Sequence, residues 1–131
     1  MIAPGERYSM VSENAKDRLV ETCTGVAGDA LRSIVYFTED DFDQIFLRDY
    51  LSAEADIQSF VENEREGFHR VPTHEGSELG RYEYTIRRFH GGYLVRVLSG
   101  EHGVFVTTNQ MSIEQYDELA DAIEQGIEAS I

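Results

Sequence analysis

Lysine is almost missing from this chain. Of eleven basic residues only Lys16 is a lysine and ten are arginines, against 25 Asp and Glu, for a net charge of −14. No basic cluster exists beyond the pair Arg87-Arg88, so the positive patch that neutralises phosphates is lacking and direct binding of DNA or RNA by a monomer is not expected. Cysteine is equally scarce: a lone Cys23 excludes an internal disulfide, a zinc ribbon and a redox CxxC pair. No apolar run approaches the roughly 20 residues of a membrane-spanning helix. The start, Met1-Ile2-Ala3-Pro4-Gly5-Glu6, lacks a charged region followed by an apolar one. A soluble, cytoplasmic protein with no membrane contact is expected.

What is present argues for a folded chain. Apolar residues make up 41%, with seven Tyr and seven Phe, enough to offset the charge. A chain of 131 residues has the length of one domain and buries about two-thirds of its unfolded surface. Arginine in place of lysine, beside so many carboxylates, points to a cytosol of molar salt. There the Debye length falls to roughly 3 Å at about 1 M, so the excess negative charge repels itself weakly and keeps the chain hydrated. The charge describes a habitat rather than a substrate.

Pro4-Gly5 marks residues 1–8 as a loose tail preceding a single α+β domain over 9–131. Val11, Ala15, Leu19, Cys23, Val26 and Ala30 recur at helical spacing and predict an amphipathic helix ending near Ala27 or running on to Ala30. Cys23 belongs to that stripe and reads as a buried core residue. Two β-rich stretches, 32–38 and 42–48, flank the acidic run Glu39-Asp40-Asp41 and predict a hairpin. A helix follows, capped by Ser52, with Ile57, Phe60, Val61 and Glu64 on one face and Gly67 at its end. From 68 to 80 the periodicity disappears and a long loop is expected. Strands are predicted over 82–89, 93–98 and 104–108, joined by glycine-rich turns. In the last element Ser112 and Gln115 form a capping box, and Met111 and Tyr116 a hydrophobic staple; Tyr116, Leu119, Ala120, Ile123 and Ile127 are its buried face.

The order is therefore α-β-β-α-β-β-β-α, which favours one five-stranded antiparallel sheet covered by helices. That order resembles the roadblock branch of the profilin-like folds, in which a central helix links a two-stranded and a three-stranded portion of one sheet. The segment Gly28-Asp29-Ala30-Leu31-Arg32-Ser33-Ile34-Val35-Tyr36, with Leu47-Arg48-Asp49, also resembles small uncharacterised acidic proteins of salt-loving archaea. The roadblock resemblance implies a homodimer, formed by extending the sheet or packing the central helices, that serves as a platform for protein partners such as small GTPases. No residue here matches a functional motif of that family, so no site is carried over.

Signals for chemistry are sparse. Glu39, Asp40, Asp41 and Asp43 lack the glycine and the twelfth-position glutamate of a calcium loop, and read as a solvated hairpin tip with no metal. His69, His74, His90 and His102 show no metal-ligand spacing; His90 and His102 fall at turns on opposite ends of the fourth strand. Gly91-Gly92 and Gly100…Gly103 read as hairpin turns that open no helix, which disfavours a phosphate cradle, and no nucleophile elbow exists. No cofactor is expected. In the strands near 82–96, however, Tyr82, Tyr84, Arg87, Arg88, Tyr93 and Arg96 bring tyrosine and arginine together, the composition of a contact surface. Equally, these arginines could pair with Glu83 and helix carboxylates. The favoured expectation is a non-enzymatic, homodimeric interaction module. The alternatives are a small-molecule sensor, with its pocket between the sheet and the 68–80 loop, and an enzyme using His69 or His74.

Overall fold

A computed structural model describes residues 12–49, 51, 57–70 and 76–130, excluding the side chains of Arg70, Ala129 and Ser130. The expected tail, the Ser52 cap, Val11 and His74 lie outside the described residues. Helix α1 (Glu13–Ala27) begins where the Oγ of Ser12 accepts from the backbone N–H of Ala15 at 3.2 Å. It buries Ala15, Leu19 and Cys23 of the expected stripe, but in the last turn Ala27 takes the buried place while Val26 and Ala30 are half-buried. Of the two endings open to it, the helix takes the earlier one, because Gly28 adopts φ +53° and turns the chain into a short 3-10 segment, Gly28–Ala30.

Strands β1 (Leu31–Phe37) and β2 (Phe42–Leu47) form the expected hairpin, with an irregularity between Ile34 and Val35. Helix α2 (Ile57–Arg65) follows and is succeeded at once by a short helix α3 (Gly67–Arg70). The expected loop therefore starts later than Phe68. The reason is packing: Phe68 meets Phe37 edge-on at 5.6 Å, which draws this part of the chain onto the sheet. Strands β3 (Thr85–Phe89), β4 (Gly92–Ser99) and β5 (His102–Thr108) make the meander, and α4 (Ile113–Ser130) closes the order. β3 begins at Thr85 rather than Tyr82, because the Tyr82 hydroxyl folds back to within 2.7 Å of the Thr85 hydroxyl.

All four pairings are antiparallel and the strand order is β2-β1-β5-β4-β3. The interior position of β1 explains its unbroken Ile34-Val35-Tyr36-Phe37 run, since both of its faces are covered. Ile34, Tyr36, Val95, Val97, Val104 and Val106 face α1 and α4. Val35, Phe37, Leu94 and Phe105 face α2 and α3 with Val61. In α4 the capping box is reciprocal: Gln115 N–H donates to Ser112 Oγ at 3.2 Å, and Ser112 N–H donates to Gln115 Oε1 at 3.1 Å. Tyr116, Leu119, Ala120, Ile123 and Ile127 are all buried, as the spacing predicts. Among the described residues no helix is long and apolar enough to cross a membrane.

Candidate functional site

Alternation along β3 and β4 divides the six candidate surface residues between the two faces of the sheet. On the α1/α4 face the Tyr84 hydroxyl donates to Asp117 of α4, and the Arg88 guanidinium lies 5.3 Å from the ring centre of Tyr93. Tyr93 in turn packs against Tyr116 at 5.4 Å. Burial, reinforced by the neighbouring carboxylates of Asp117 and Glu83, pushes the Tyr84 phenol up to about 12, so it stays a neutral donor.

On the other face Arg96 and Arg87 converge on one carboxylate. The register sets Thr85 opposite Arg96 and Arg87 opposite Leu94, so the two arginines are diagonal neighbours beneath α2. Arg96 Nη1 donates to Glu64 Oε1 at 3.1 Å and Arg87 Nε donates to Glu64 Oε2 at 2.8 Å. Arg96 Nη2 donates to the Thr85 and Tyr82 hydroxyls at 2.9 and 3.1 Å. Arg96 is only 5% exposed and Glu64 is fully buried. Tyr82, Arg87 and Arg96 thus form an internal network rather than part of one continuous contact surface with Tyr84, Arg88 and Tyr93. An acid within the apolar Ile57, Phe60, Val61 stripe of α2 was the sequence signal for it, because a buried carboxylate demands a cation.

Gly67 has its own reason for being glycine. A Cβ there would lie 2.5 Å from the Arg96 guanidinium carbon. Clearance for the buried arginine, not only a helix ending, fixes this position.

What remains outward at the β3 edge is aromatic. Phe60 of α2 and Phe89 of β3 meet edge-on at 5.6 Å and are 39% and 42% exposed. Phe60 belonged to the predicted helical stripe, but its partnership with Phe89 needs the sheet and helix brought together. Beside the pair, on the same face, a cleft of about 280 Å³ runs under the first turn of α2, walled by Leu47, Ile57, Phe60, Phe89 and Phe105. None of the described residues of 68–80 lines it; Phe68 packs instead against Phe37.

The acidic hairpin tip is gathered by side chains of neighbouring elements. Arg65 donates to the carbonyls of Thr38 at 2.6 Å and Asp41 at 3.0 Å, and His69 Nε2 lies 3.2 Å from Glu39. Lys16, the single lysine, reaches Asp43 at 3.2 Å. Among the described residues no group of three or more His, Cys, Asp or Glu is arranged to hold a metal ion. His102 is not a bare turn residue: its Nδ1 meets the Tyr36 hydroxyl at 2.5 Å and its ring stacks on that tyrosine. His90 is exposed at the β3–β4 turn. Burial pushes the Cys23 thiol up to about 12, which keeps it protonated within the core.

The whole of this arrangement, from α1 to α4, coincides with one family. This chain belongs to DUF7522, a domain family of unknown function, whose model matches residues 17–128. No curated protein matches this DUF7522 chain. Solved structures share its fold, two of them as follows. One is described as MglB with tetrameric arrangement, at TM-score 0.60 and 10% identity, with 92% of this chain and 96% of that chain covered. The other is Myxococcus xanthus MglB, at TM-score 0.50 and 12% identity, with 93% and 96% covered. The five-stranded α+β architecture is therefore roadblock-like, as the element order implied.

Proposed function

We propose that this DUF7522 protein is a non-enzymatic interaction module that works as a homodimer in the cytoplasm of a salt-loving archaeon, offering its remaining surface to protein partners. The observation that carries the reading is the β3 edge. An edge strand presents unpaired backbone N–H and C=O groups, and here it adjoins the half-exposed Phe60 and Phe89 rings. A second copy that extended the sheet along β3 and laid α2 against its own α2 would cover both. Arg87 and Arg88 charge the same strand, which disfavours indiscriminate strand pairing while permitting a partner whose surface is acidic, as a second copy's is. Support comes also from the tetrameric arrangement named for one MglB structure of this fold.

Light scattering on the eluting protein in about 2 M KCl tests it, at a salt where surface repulsion is screened. The wild-type chain should elute at twice the monomer mass, and Phe60→Glu with Phe89→Glu should return it to monomer. A stable dimer of this kind should bury more than about 1,000 Å². A wild-type monomer at about 100 μM would defeat the proposal.

A further inference from the structure

We infer that the cleft under the first turn of α2 is a binding site for a small apolar molecule ending in one carboxylate or similar oxygen acceptor. The site borders the proposed self-association surface, since Phe60 and Phe89 belong to both, but its donors lie on β1, β2 and β5. Its volume, about 280 Å³, lies near the lower end of ligand-binding pockets, roughly 300–1,000 Å³, so it suits a compact molecule rather than a chain of residues. The rings of Phe60, Phe89 and Phe105 offer an apolar wall.

Hydrogen-bond donors share the same lining. The Gln44 side-chain nitrogen is buried and finds no acceptor among the described residues. A buried amide donor without an acceptor is unfavourable, and a ligand oxygen is the group that would satisfy it. The Ser33 and Thr107 hydroxyls lie 2.5 Å apart in the same lining. Only one proton sits between them, so the second hydroxyl hydrogen is left to donate elsewhere. Arg32, whose Nη1 also donates to Asn109 at 3.1 Å, adds a positive charge to the wall.

Charge makes the distinction sharper. In a chain with 25 carboxylates, none of the described lining residues is Asp or Glu. An acceptor head meets amide, hydroxyl and guanidinium donors there, with no resident anion competing for them. Its apolar body replaces water against the aromatic rings.

The test titrates the full chain, at folding salt, with 3-phenylpropionate and, separately, with its primary amide. The backbone amide signals of the lining residues, with the Gln44 side-chain amide in the wild type, are followed by nitrogen–proton correlation NMR. A saturable shift with a dissociation constant of about 1 mM or tighter is expected for the acid, and binding about tenfold weaker for the amide. Gln44→Leu and Thr107→Val each remove a donor at nearly constant size; each should weaken the acid about fivefold or more. Two variants on different strands keep the test decisive if one fails to fold. No saturable shift up to about 20 mM overturns the inference, as does equal binding by wild type and both variants.

Discussion

Glu64 of α2 and Arg96 of β4 form a 3.1 Å ion pair in which the acid is wholly buried and the base nearly so. They are 32 residues apart in sequence, and their pairing fastens α2 to the sheet. Arg87 completes the acid's second oxygen from the half-exposed side. The two arginines differ in cost of removal because they differ in burial.

Glu64→Ala leaves the Arg96 guanidinium buried without its anion, and breaking one partner of such a pair costs about 3–5 kcal/mol. Arg87→Ala removes a partly solvated arm and should cost about 1 kcal/mol or less. Denaturant unfolding at constant high salt compares them. Equal losses would mean that burial does not govern this network.

Gly67→Ala should be destabilising by about 1–3 kcal/mol, because the new methyl group must displace the Arg96 guanidinium from its fixed set of acceptors. Combining it with Arg96→Met should cost less than the sum of the single changes. Strict additivity would show that the glycine serves only the chain path between α2 and α3.

Alkaline pH should weaken the fold. The Tyr84 phenol is raised from 10.0 to about 12, first by burial and then by Asp117, and the Cys23 thiol from 9.0 to about 12 by burial. Groups whose folded values are raised keep their full contribution below the unfolded value and lose it as pH climbs toward the folded one. Stability should therefore fall between roughly pH 9 and 12, the thiol acting first. Tyr84→Phe should flatten the part of that decline above about pH 10. An unchanged slope in the variant would assign the loss to other groups.

Lower salt should also destabilise it. Helix α4 contains no basic residue, and its acids stand four apart at Glu114 and Glu118, Asp117 and Asp121, and Glu124 and Glu128. Each such pair costs about 0.2–0.5 kcal/mol when unscreened. Circular dichroism should give a higher melting temperature in about 3 M than in about 0.1 M KCl, and Asp121→Lys should narrow the gap. Cys23, buried in α1, offers a second readout, since thiol reagents should label it only as the salt is lowered and the core opens. Identical melting temperatures would remove the salt-adapted reading.

Much of the fold was legible because its signals are local. The Ser112–Gln115 box, the Ala15-Leu19-Cys23 stripe and the β1–β2 hairpin depend on residues within a few positions of one another, where backbone geometry enforces the contact. The candidate surface was legible only as composition. Alternation along β3 and β4 gave the faces, but which face receives α2, and so which arginines are withdrawn from the surface, depends on packing across the sheet. The short helix α3 had the same origin, in the Phe68 contact with β1, and the Tyr82 hydroxyl that folds back on Thr85 is also held by Arg96 of β4.

The amino-acid order alone determined helices α1 and α4 and the two hairpin-linked groups of strands, because the periods of 3.6 and 2 and the caps act at short range. It determined the charge balance as well. Only the tertiary structure decided that Arg96 lies inside against Glu64, that Phe60 meets Phe89 at an open edge, and that Gln44, Ser33 and Thr107 share a cleft. These groups come from separate elements, and a charge or a ring acquires its surroundings, and hence its energy, only when the sheet and helices close around it.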